Sequence, residues 1–170
     1  MKRLLFLNAL LMIAFYSCKK DNITHSGDFE RSFYKWQVFK STSGDTYSYQ
    51  VITGSWTGYS TETTITVKQG KVTERSFLSK GYIDTSRVLT VIKEWKENEN
   101  QLATHMEGAA PLTLDQIYAQ AKSDWLLKRD NATTYFETEN NGMISSCGYV
   151  PNGCADDCFI GIYIKYIKEL

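Results

Sequence analysis

The sequence predicts an α+β domain: an antiparallel sheet with two principal helices packed on it, preceded by a cleaved lipoprotein signal peptide. Three observations carry this. Apolar residues recur at helical spacing in two separate stretches, 29–40 and 114–125, and alternating runs suited to strands follow each stretch. The resulting order of helix, strands, helix, strands leaves no place for parallel βαβ crossovers. With 170 residues, 42% hydrophobic and only two prolines, the chain carries the material for one core, which excludes disordered and low-complexity classes.

The amino terminus comes first. Lys2 and Arg3 precede an apolar run over residues 4–16, broken only by Asn8, and Ser17 stands before Cys18. That run is shorter than the roughly 20 residues that cross a bilayer as a helix. Its charged start, apolar middle and small residue before the cut are those of an export signal. Residues 1–17 are expected to be removed, residues 18–27 to form a lipidated tether, and residues 28–170 to fold as a single globular domain. Phe15-Tyr16-Ser17-Cys18 resembles a bacterial lipobox. Cys18 is therefore the expected lipid attachment site, joining the chain to the membrane through acyl chains. Lys19 stands where an inner-membrane retention signal would have Asp, so the expected location is the cell envelope at the outer membrane.

Phe29, Phe33, Trp36 and either Phe39 or Lys40 define the first helix, with Ser26 or Asp28 as its cap and residues 41–45 as its end. The competing reading is a strand over Tyr34, Trp36 and Val38, since the aromatic content fits either period. Strands follow where Tyr47, Tyr49 and Val51 alternate, and again from Tyr59 through Thr61, Thr63, Ile65 and Val67. Gly54 and Gly58 mark the loop around Trp56, and Gln69-Gly70 turns the chain into a third strand over 72–78. An apolar run over 88–95 supplies another strand, and the polar stretch 96–101 leads to a further one over 102–106. Thr113 and Gln116 form a capping box for the second helix, Leu112 can staple against Ile117, and Leu114, Ile117, Tyr118, Ala121 and Trp125 line one face. Asp130-Asn131 ends it. A strand over 134–139, a tight turn at Asn141-Gly142 and a return over 143–149 come next. The last strand, 159–167, puts Ile160, Ile162, Ile164 and Tyr166 on one face. Two helix-then-strands halves hint at an internal duplication, although no residue-level repeat accompanies them.

Nineteen basic and nineteen acidic side chains leave no electrostatic surplus for phosphate neutralisation, so nucleic acid is not an expected partner. Beyond Cys18 the cysteines are Cys147, Cys154 and Cys158, all in the segment joining the last two strands. In an exported chain they are disulfide candidates, with three possible pairings and one odd thiol. Cys147 with Cys158 is preferred, because both fall at the base of the hairpin. Three sulfurs without a nearby histidine make an incomplete zinc set, so no metal is expected. Asp156 and Asp157 offer hard oxygens to calcium, but adjacent acids without EF-hand spacing read first as a solvated loop tip.

No catalytic residue is assigned. His25 and His105 stand outside any nucleophile motif, and Glu137 with Glu139 shares a strand face without a defined cleft. No dinucleotide or phosphate-loop fingerprint occurs, so no cofactor is expected. The expected function is a non-catalytic binding or inhibitor-like module. The alternatives are an envelope hydrolase using carboxylates near Glu137 and Asp156, or a structural subunit of an envelope complex. The cysteine loop, with Tyr149, Asp156 and Asp157 as contact residues, is the expected surface for an envelope protein or peptide partner.

Thr113-Leu-Asp-Gln-Ile-Tyr118, the run from Tyr135 to Pro151, Cys154-Ala-Asp-Asp-Cys158 and the hairpin segment at Thr64 to Lys71 together resemble an uncharacterised family of Bacteroidota-type lipoproteins carrying a domain of unknown function. The resemblance implies one fold over most of the mature chain and an envelope location. It also implies an arrangement similar to small periplasmic inhibitor or peptide-binding modules, and it brings no activity.

Overall fold

A computed structural model describes residues 22–83 and 88–170; the signal segment and Cys18 lie outside the described residues. Helix α1 (Ser26–Thr42) is followed by strands β1 (Tyr47–Gly54), β2 (Ser60–Lys68), β3 (Lys71–Tyr82) and β4 (Leu89–Asn98). Helix α2 (Leu114–Gln120) comes next, then β5 (Ala132–Glu137), β6 (Ser146–Pro151) and β7 (Ile160–Glu169). The strands form one antiparallel sheet in the order β4-β3-β2-β1-β7-β6-β5. The expected α+β class is the observed one.

Local chemistry explains the turns. Gln69 and Gly70 both take positive φ, as do Asn141 and Gly142, which is the backbone of two-residue turns matched to strand twist. Thr113 Oγ1 accepts the Gln116 N–H while the Gln116 side chain accepts the Thr113 N–H, so the capping box forms in both directions. After α2 the chain widens into a single π-helical turn, Ala121–Trp125, and leaves the helix at Leu126, short of the expected stop at Asp130. Trp125 is buried, as its place on the apolar face requires.

One core lies between the helices and one face of the sheet. Trp36 meets the Tyr47 ring edge-on at 5.1 Å, and Tyr118 packs against Phe29 and Phe33. The Tyr118 hydroxyl bonds to Ser32 of α1 and accepts the Ile144 N–H, linking both helices to the β5–β6 connection, and burial pushes its pKa up to about 12.

Several expectations need correction. Residues 23–27 are not tether: Ile23 is buried and bridges to Leu127, and Thr24 N–H donates to the Leu126 carbonyl. This pairing starts α1 at Ser26 from a left-handed His25, so neither Ser26 nor Asp28 is the cap. No strand spans 102–106. Glu97 collects the backbone N–H groups of Ala103 and His105, and Ala103 adopts φ 64°, so this stretch is a loop after a short 3₁₀ turn at Glu99–Gln101. On β7 a bulge at Lys165 reverses the alternation: Ile164 opposes Val51 and Ile167 opposes Tyr49 on the core face, while Tyr166 opposes Gln50. Ile167, not Tyr166, joins Ile164 in the core.

Candidate functional site

The sheet's helix-bearing face is only partly covered by α1 and α2, and the 103–113 loop crosses much of the remainder. A buried ion pair pins it there. Arg75 of β3 donates from Nε and Nη2 to the two carboxylate oxygens of Glu97 on β4 at 2.8 and 2.9 Å, with both side chains almost fully enclosed. The same guanidinium donates to the carbonyls of His105 and Ala109, while Glu97 accepts from Ala103, Thr104 and His105. The Arg75 guanidinium, together with the loop N–H groups, holds the Glu97 carboxyl far below its ordinary range. The Arg75 guanidinium lies 4.6 Å from the Trp95 ring centroid, and the same ring stacks with His105 at 4.4 Å and with Phe77 at 5.2 Å.

Three hydroxyls on the sheet then seat the end of the loop. Thr63 Oγ1 accepts the Ala109 N–H, Tyr49 donates to the Leu112 carbonyl, and Tyr47 accepts the Leu114 N–H at the start of α2. Burial raises the pKa of both tyrosines, which keeps them protonated.

Between this seated loop, α2 and the sheet a groove of about 430 Å³ remains. Val51, Ile117, Trp125 and Ile162 supply its apolar walls, and Thr53, Thr61 and Gln120 its polar points. Among the described residues, no ionisable side chain other than Tyr49 lines it. The Thr53 and Thr61 hydroxyls bond to each other at 2.7 Å. A volume in this range suits a small ligand, and an apolar lining with few polar points is the usual composition of such sites.

The groove opens onto a fork in the sheet. β1 and β7 pair from Tyr47↔Glu169 to Val51↔Ile164 and no further. Beyond that point β1 stays with β2 and the start of β7 pairs with β6 alone. On the outer face a second cavity, of about 320 Å³, is lined by Val51, Thr53, Gly54, Asp157, Phe159 and Tyr163 among others.

The expected site residues scatter. Cys154 and Cys158 form a disulfide with Cα atoms 6.2 Å apart. The preferred Cys147–Cys158 pairing is not formed: Cys147 is a free thiol in the core, between Phe136 and Ile162 in the register, and burial raises its pKa. Tyr149 is not on the loop. It lies on β6 beneath the Arg129 guanidinium, 3.8 Å from the ring centroid, packed against the core. Asp156 and Asp157 are exposed at the tip, and Asp157 accepts a hydrogen bond from Ser55 at 3.4 Å. β5 ends at Glu137, so Glu139 stands beyond the strand, although both border one shallow cavity. Among the described residues no group of three or more His, Cys, Asp or Glu is arranged to hold a metal ion, and no helix is long and apolar enough to cross a membrane.

Sequence reasoning missed Arg75, Glu97 and the groove. One signal was present: Arg75 shares strand parity with Phe77, so a charge sits at an inward position of β3.

No protein-family model, curated protein or solved structure matches the chain.

Proposed function

We propose that the protein is a lipid-anchored, non-catalytic binding module of the bacterial cell envelope, held at the outer membrane through Cys18. Its ligand site is the groove between α2 and the sheet. The observation that carries this reading is the composition of that groove: preformed, about 430 Å³, walled by Val51, Ile117, Trp125 and Ile162, and without a His, Cys, Asp or Glu among the described residues. A hydrolase would need a nucleophile or base facing its substrate. Here the hydroxyls of Thr53, Thr61 and Thr63 are spent on one another and on the Ala109 N–H. A neutral, largely apolar ligand fits.

The anchor reading rests on residues 2–18 as sequence. With Ile23 already in the core, the chain from Cys18 to Ile23 reaches at most roughly 18 Å, so the domain would ride close to the bilayer.

Titration with N-phenyl-1-naphthylamine, a neutral fluorescent apolar probe, tests the site in the chain from residue 22 onward, which holds every residue of the core. Saturable binding that Thr53→Trp abolishes without lowering the melting midpoint supports the reading. Absence of saturable binding overturns it. Detergent partitioning of wild type and Cys18→Ser tests the anchor, and full-length wild type wholly in the aqueous phase would refute it.

A further inference from the structure

The fork has a backbone logic of its own. Ser55 N–H donates to the Tyr59 carbonyl, so alternation along β1 turns the N–H and C=O of Gly54 away from β2 and toward β7. On β7 the Ile164 N–H donates to the Ser145 carbonyl, so the N–H and C=O of Gly161 turn away from β6 and toward β1. Continuing the strand alignment would oppose Gly54 to Gly161, yet the ladder stops before them. Two short strand edges thus diverge with donors and acceptors directed into the gap. The cavities on the two faces share Val51, Thr53, Gly161 and Ile162, so the gap joins them.

Charge at the opening is one-sided. Among the described residues, Asp157 is the only Asp, Glu, Lys, Arg or His lining either cavity, and its carboxylate pairs with no cation there. The disulfide between Cys154 and Cys158 closes the loop that carries it.

We propose that the fork receives an extended peptide segment of a partner protein, whose backbone continues the ladder at Gly54 and Gly161 and whose lysine or arginine side chain pairs with Asp157. This deepens, and rests on, the reading of the adjoining groove as a binding site. A strand edge calls for a ligand that alternates donors and acceptors along its length, which a polypeptide backbone does. The neutral groove takes the apolar side chains on one face of that segment. The exposed carboxylate sets a preference for positive charge.

The probe is a pool of acetylated, amidated pentapeptides randomised at every position except one fixed lysine, against the same pool with glutamate fixed. A third pool is N-methylated at alternate amides, which keeps the side chains and removes ladder donors. Amide shifts in the nuclear magnetic resonance spectrum and retention on the immobilised chain from residue 22 onward are the readouts. The lysine pool is expected to shift the Gly54 and Gly161 amides and to be retained at least tenfold over the glutamate pool. N-methylation should abolish retention, and Asp157→Asn should bring the two pools to parity with an unchanged melting midpoint. Equal retention of all three pools, or shifts confined to the open edge strand β4, overturns the proposal. If N-phenyl-1-naphthylamine binds and no pool does, the peptide inference falls and the groove stands. If neither binds, both fall.

Discussion

Arg75 and Glu97 meet in a two-pronged ion pair between β3 and the edge strand β4, opposed in the register and sealed by the loop they organise. Burying two charges is costly, and the surrounding loop offsets that cost: two loop carbonyls accept further guanidinium protons and loop N–H groups donate to the carboxylate. The pair is thus the fastening of the groove's roof.

Breaking it is expected to be severe. Arg75→Met leaves Glu97 buried without its counter-charge and should cost roughly 3–5 kcal/mol in urea unfolding. A loss below about 1 kcal/mol, the scale of an exposed pair, would mean the pair is solvated.

Acid should act through the same residue. Because the folded state holds Glu97 below its ordinary 4.5, its contribution is complete at neutral pH and is lost as pH falls below that value toward the folded one. Unfolding free energy measured from pH 7 to pH 3 should decline less steeply in Glu97→Gln than in wild type. Parallel profiles would assign the acid sensitivity elsewhere.

Gly161 is required where β6 and β7 approach. A Cβ there would lie 2.2 Å from the Cys147 carbonyl oxygen, a backbone atom that cannot swing aside, whereas one at Gly54 would meet nothing within 4 Å. Gly161→Ala is expected to destabilise by about 1–3 kcal/mol or more, and Gly54→Ala by far less. Thermal unfolding of the two variants side by side checks the contrast, and equal losses would contradict it.

Mass mapping of the oxidised protein should find Cys154 joined to Cys158, with Cys147 alkylated only after denaturation. Closing so short a loop contributes about 2 kcal/mol at most in the chain-entropy model, so reduction should leave the fold intact. A cross-link to Cys147 would require its side chain to leave the core.

What could be read from the sequence follows the range of the interactions. The Thr113–Gln116 box and the Asn141-Gly142 turn are complete within a few residues, and both form as their chemistry dictates. The loop over 103–113 was hidden because its determinant, Glu97, belongs to a strand and acts on partners six to eight residues later. The β7 alternation failed at Lys165 because β1, more than 100 residues away, sets the register there. The fork was equally out of reach: it arises where β7 exchanges β1 for β6, an event no local pattern records. Cys147 misled for a related reason. Its spacing suits a staple, but strand parity puts it in the core with Phe136 and Ile162.

The most direct test of the binding site is an amide-resolved titration of the domain with N-phenyl-1-naphthylamine. Perturbations gathered at Thr53, Thr61, Ala109, Ile117, Gln120 and Ile162, and absent in Thr53→Trp, are the predicted result. Perturbations confined to the exposed apolar end of the sheet, around Trp56, Tyr82 and Val91, would contradict the account.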